Sequence, residues 1–179
     1  RQAPAPPGDT CATATPIDGT STALQTFLGD TTLATADLGT LCGPASQDVI
    51  YTFTLAAPRT LSATLTPSTP WASALSLRST PACPGTIQLS CQNFATTGSR
   101  SVNSVLNPGT CYLVVQGNTT TAAGPFSLGV TLAPVPGYSK AASPGAYIDA
   151  CTGGTLLALA DPDEGSAQTP LPFAFPFYE

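Results

Sequence analysis

The stretch Asp48-Val49-Ile50-Tyr51-Thr52-Phe53-Thr54-Leu55 sets the reading of the whole chain. Val49, Tyr51, Phe53 and Leu55 fall on one face of an extended strand and Ile50, Thr52 and Thr54 on the other, the period-2 pattern of a strand with one strongly buried face. A core strand of an antiparallel sheet is expected here. Nothing in it is catalytic.

Outward from this strand, similar pieces recur. Thr60 to Leu65 alternates through Leu61, Ala63 and Leu65, and Trp71 to Arg78 through Leu75 and Leu77, with Pro67 and Pro70 between them. Ile87 and Leu89 mark a short strand up to Cys91, and Val102 to Leu106 another. Asn107-Pro108-Gly109-Thr110 has the composition of a tight turn and leads into Cys111-Tyr112-Leu113-Val114-Val115-Gln116, apolar on both faces and so central in its sheet. Phe126, Leu128, Val130 and Leu132 alternate in a last strand. Before the opening stretch, Ala23 to Phe27 and Thr32 to Ala34 read as short strands punctuated by Gly19, Gly29-Asp30 and Gly39. About eight short strands at spacings of about ten residues, with no helical period between them, predict an all-β, antiparallel, jelly-roll-like sandwich.

Composition fixes the setting. Only 8% of the 179 residues are charged, and the polar role passes to Thr, Ser, Gln and Asn. The five basic residues are scattered and the net charge is -5, which argues against nucleic acid. No apolar run approaches the roughly 20 residues of a spanning helix, so no membrane insertion is expected of this segment.

Six cysteines stand in a chain without histidine. Mixed Cys/His zinc sites are impossible and no C-x-x-C pair offers an all-Cys alternative. Cys11, Cys42, Cys83, Cys91, Cys111 and Cys151 are expected in disulfides, in an oxidising compartment; the pattern alone leaves many pairings open. The sequence begins Arg1-Gln2-Ala3 and contains no methionine, consistent with a signal peptide removed or left out. A secreted protein is expected.

Three regions are expected along the chain. Residues 1–8 are a Pro/Ala tether, residues 9–132 the sandwich, and residues 133–179 a linker with a terminal strand segment. Within the last, Thr155 to Ala160 reads as a strand before the acidic loop Asp161-Pro162-Asp163-Glu164. Leu171-Pro172-Phe173-Ala174-Phe175-Pro176-Phe177-Tyr178 is then the most informative stretch after the opening one. Leu171, Phe173, Phe175 and Phe177 project from one face, an apolar row poorly tolerated by water. The N–H groups of residues 173, 175 and 177 point to one edge, and the other edge lacks donors at Pro172 and Pro176. Such a strand pairs fully on one side only and requires an acceptor.

The order of the pieces resembles the bacterial pre-peptidase C-terminal domain family, β-sandwich modules appended to secreted proteases and surface proteins. The resemblance is carried by Gly8-Asp9-Thr10-Cys11-Ala12-Thr13-Ala14-Thr15, the opening strand, Leu75-Ser76-Leu77-Arg78, Pro108 to Gly117, and Gly124-Pro125-Phe126-Ser127-Leu128, and covers about residues 8–132. The tail resembles the start of a further surface-protein sandwich domain. Taken with sequence proximity, the resemblance implies the pairs Cys11–Cys42 and Cys83–Cys91, leaving Cys111–Cys151, a bond that would pin the tail to a central strand and contribute about 3 kcal/mol. Calcium, which some relatives bind through acidic loops, is not implied, because no matching acidic cluster lies inside the domain.

Other features have plain readings beside the functional ones. A Ser-His-Asp triad is excluded by the lack of histidine and no G-x-S-x-G elbow exists. Most of the ten acids sit singly in turns, where Asp is common, and not as a hydrolytic pair. Asp161, Asp163 and Glu164 have oxygen ligands for calcium, yet a solvated turn is the simpler account. Lys140 is a conceivable isopeptide donor but reads as a solvated lysine. Asn118-Thr119-Thr120 is a glycosylation sequon by pattern. Trp71, between Pro70 and Ala72, is either a carbohydrate platform or a plug at the core rim, and the plug is preferred. No catalytic, cofactor-binding or metal residue is assigned.

Two functions compete. One is a non-catalytic structural or adhesive subunit of the bacterial cell surface, assembling into a filament by exchange of the terminal strand between copies. The other is an accessory module of a secreted hydrolase, aiding folding, secretion or substrate attachment.

Overall fold

The computed structural model describes residues 4–136 apart from 37, 39–41, 80–81 and 95–96. The chain divides into two units, Arg1–Gly137 and Tyr138–Glu179, and the described residues belong to the first. The terminal row Leu171, Phe173, Phe175 and Phe177, together with Cys151, Lys140 and the acidic loop at 161–164, lies outside the described residues.

The expected alternation produces the expected strands. Nine strands follow one short 3-10 turn, Cys11–Thr13: β1 Thr15–Pro16, β2 Gln25–Asp30, β3 Asp48–Leu55, β4 Arg59–Pro67, β5 Ser73–Ser79, β6 Ile87–Asn93, β7 Arg100–Leu106, β8 Gly109–Gly117 and β9 Pro125–Pro134. They form two sheets, in the orders β1-β3-β8-β5-β6 and β2-β9-β4-β7. All pairs are antiparallel except the two-residue β1, which runs parallel to β3. An all-β sandwich is thus observed. Thr32–Ala34, expected as a strand, forms a turn and coil instead, since Asp30 Oδ1 accepts from both Thr32 N–H (2.8 Å) and Thr32 Oγ1–H (2.6 Å) and turns the chain out of the ladder.

The core lies between the sheets. Val49, Tyr51, Phe53 and Leu55 from β3 meet Leu61, Ala63 and Leu65 from β4 and Phe126, Leu128, Val130 and Leu132 from β9, each large side chain contributing about 1.5–3 kcal/mol by leaving water. The outer face of the β4/β9 sheet is a carpet of hydroxyls, linked across strands at Thr64–Ser101 (3.0 Å) and Thr66–Ser99 (3.2 Å). Such a face is wetted without ions, which is how a chain with so few charges stays hydrated.

The other sheet is buried on both sides. Ile50, expected on the polar face of its strand, is fully buried there, as are its neighbours Val114 and Ser76 in the register Ile50↔Val114↔Ser76. The cover comes from the N-terminal segment and the loop before β3. Ile50 N–H donates to Gly8 O at 2.8 Å. Gly8 holds φ +85°, and a Cβ there would lie 2.8 Å from Ile50 O, so only glycine fits. Ser46 Oγ donates to Gly117 O (2.9 Å) and Gln116 Nε2 to Pro44 O (3.2 Å).

Two disulfides staple this cover. They join Cys11 to Cys83 and Cys42 to Cys91, which corrects the expected pairs Cys11–Cys42 and Cys83–Cys91. The physical reason is lateral: β6 lies beside β5 at the sheet edge, which sets Cys91 under the 42–47 loop and not beside its near neighbour in sequence. Cys111, expected to pair with Cys151, is a buried free thiol, and burial pushes its pKa up.

Candidate functional site

Among the described residues no group of three or more Cys, Asp or Glu side chains is placed to hold a metal. The side chains singled out in the sequence take structural positions. Trp71 is buried in the core rim, and its indole N–H donates to Pro125 O at 3.2 Å. Gly124 makes room for it, since a Cβ at 124 would sit 2.6 Å from Trp71 Cδ1. The plug reading of Trp71 holds and the platform reading falls, because its ring faces are enclosed. Arg100 is also buried, donating through Nε to Ser73 O (2.9 Å), through one terminal nitrogen to Gly98 O and Ser99 O, and through the other to Phe94 O (3.0 Å). It ties the loop before β7 to β5 by carbonyls.

The surface least accounted for by the fold is the open side of the sandwich at β2. This strand is an edge, paired with β9 alone. Thr31 N–H bonds Gly124 O, and Asp30 faces Pro125, which has no N–H to give. The alternation of an antiparallel ladder therefore turns the main-chain groups of Gln25, Phe27 and Gly29 towards β9, and those of Thr26, Leu28 and Asp30 to the open side. Among the described residues no strand takes them.

The side chains here are unusually apolar for an edge. Leu28 is 84% exposed and Leu24 68%, with no lysine or proline along Gln25–Asp30 to discourage pairing. Beneath the edge lies a groove of about 330 Å³, bounded by β2 on one side and by Pro6, Pro7 and Thr15 on the other, with Phe27 and Tyr51 in its floor. Tyr51 stacks at a tilt on Phe27 and edge-on to Phe126, with centroids 5.3 and 6.5 Å away. Burial pushes the Tyr51 phenol up to about 12. The groove is thus aromatic and uncharged apart from Asp30 at its far end. It has no chemistry to offer a substrate, but it offers unpaired main chain beside a greasy hollow. The exposed Leu28 and the edge position of β2 were not recognised from sequence; the uncharged run Leu24 to Gly29 was the available signal.

No family model matches the sequence, and no curated protein matches it. Three solved structures are similar. The pre-peptidase C-terminal domain of collagenase from Bacillus anthracis aligns at 16% identity over 66% of this chain and 94% of that one, with a TM-score of 0.48. The mitogen derived from Yersinia pseudotuberculosis aligns at 13% identity over 65% and 92% respectively, with a TM-score of 0.42. A periplasmic inhibitor of g-type lysozyme from Aeromonas hydrophila aligns at 13% identity over 66% and 96%, with a TM-score of 0.41. The domain type that the sequence resembles is thus also among the structural neighbours. The chain's class is a disulfide-braced antiparallel β-sandwich module, of a kind built for an oxidising compartment.

Proposed function

We propose that this chain is a non-catalytic structural or adhesive module of the cell exterior, whose copies join into filaments by exchanging the C-terminal strand Leu171–Tyr178. The observation that carries the reading is the arrangement of that segment: an apolar row at Leu171, Phe173, Phe175 and Phe177, with donors along one edge and prolines 172 and 176 on the other. A strand so made bonds a single neighbouring edge and buries a single face. The braced sandwich supports it as the rigid body of a subunit, since both faces of the β3/β8 sheet are buried and stapled by two disulfides.

Deletion of residues 170–179 tests the reading. The truncated chain is expected to remain folded by circular dichroism and to run as a monomer in light scattering at concentrations where the full chain assembles. Assembly unchanged by the deletion would remove strand exchange, and a full chain that stays monomeric at every concentration would favour the accessory-module reading instead.

A further inference from the structure

We infer that the acceptor for the exchanged strand is the open edge of β2, and that Leu171–Tyr178 of a second copy pairs there in parallel, with its phenylalanine row turned into the groove floored by Phe27 and Tyr51. The assignment rests on the strand-exchange reading and adds to it a place and a direction.

Three observations converge on this edge. First, its unpaired main-chain groups belong to Thr26, Leu28 and Asp30, three alternate residues, and the donor segment has usable N–H groups at three alternate residues, 173, 175 and 177. Second, Leu28 and Leu24 are 84% and 68% exposed in the isolated chain, which argues for a cover supplied by another molecule. Third, neither the edge before Asp30 nor the donor before Glu179 carries a charge, so no ion must be desolvated for the two to meet.

The direction follows from strand geometry. In antiparallel pairing, the residues that exchange main-chain bonds stand directly opposite and share a face. Phe173, Phe175 and Phe177 would then lie beside Thr26, Leu28 and Asp30 on the outer face of the sheet, in water. In parallel pairing, a residue bonds the two neighbours of the one opposite it. With Leu28 set opposite Ala174, Phe173 then stands opposite Phe27 and Phe175 opposite Gly29. Phe27 packs against the core, so the phenylalanine row faces inward over the groove. A hollow of about 330 Å³ is large enough for aromatic rings, since roughly 150 Å³ holds a benzene. Burial of the rings therefore selects the parallel arrangement.

Two experiments on the full-length chain decide it. Leu28→Pro removes a main-chain donor that points away from β9, so the sandwich is expected to keep its circular dichroism and melting temperature while assembly is lost. If Leu28→Pro assembles like the parent although deletion of 170–179 does not, strand exchange stands and β2 is not its acceptor. The second experiment pairs Leu28→Cys with Ala174→Cys and, separately, with Phe175→Cys, oxidises under mild conditions and reads non-reducing gels. A ladder of covalent multimers from the Ala174 pair is expected. A ladder from the Phe175 pair instead overturns the parallel direction, a cross-linked monomer overturns the second copy in favour of the chain's own tail, and no cross-link in either overturns the site even if Leu28→Pro fails to fold.

Discussion

Phe27 and Tyr51 meet across the gap between the two sheets, ring centroids 5.3 Å apart and planes inclined at 59°. One comes from an edge strand and the other from the most buried strand of the opposite sheet, so this contact closes the core on its open side. It also sets the environment of a titratable phenol.

That phenol makes the fold sensitive to alkali. Burial holds the neutral form and raises Tyr51 to about 12, against about 10 in an unfolded chain. The folded state therefore binds this proton more tightly than the unfolded state. Its contribution is fully present below about pH 10 and is lost as the pH rises through about 12, a loss on the order of 2–3 kcal/mol. Tyr51→Phe is expected to match the parent at pH 7 and to show a shallower fall in urea midpoint between about pH 10 and 12. Equal alkaline slopes in the two proteins would refute the assignment.

Gly124 is a packing glycine whose loss is readable by light. A Cβ at this position would lie 2.6 Å from Trp71 Cδ1 and 2.8 Å from Nε1, and the indole, held by Pro125 O, must move. Gly124→Ala is expected to cost about 1–3 kcal/mol by overpacking and to shift the emission of the chain's single tryptophan to the red. An unchanged spectrum with parental stability would show that the rim yields without displacing the ring.

The two disulfides brace a cover and not the core, and their removal has a corresponding signature. Each closes a long loop, with sequence separations of 72 and 49 residues, so loss of either is expected to cost about 4 kcal/mol in the loop-entropy account. The double variant Cys42→Ala with Cys91→Ala is expected to keep its far-ultraviolet spectrum while the amide of Ile50, beneath the N-terminal segment, exchanges faster. Peptide mapping without reduction is expected to return Cys11 with Cys83 and Cys42 with Cys91; recovery of Cys11 with Cys42 would overturn the cover as described.

Much of the sandwich was legible because strand geometry writes itself into a period of two. Leu61, Ala63 and Leu65 in β4 and Phe126, Leu128, Val130 and Leu132 in β9 announce one buried face each, and all of them are buried. The two-sided apolar run from Cys111 to Gln116 announced a central strand, and β8 sits between β3 and β5. Ile50 was misread for an instructive reason: alternation tells which residues share a face, not whether a distant segment later covers that face. β1 escaped notice because two residues carry no periodicity at all.

The alternating side chains, the scarcity of charge and the even count of cysteines settled by themselves that this chain makes a braced β-sandwich, since each is a local or additive property of the residues. Which cysteine finds which, and which strand is left as the open edge, came only with the folded arrangement. Both depend on which strands lie side by side across long stretches of chain, and lateral adjacency is a property of the assembled sheets that no short window of residues encodes.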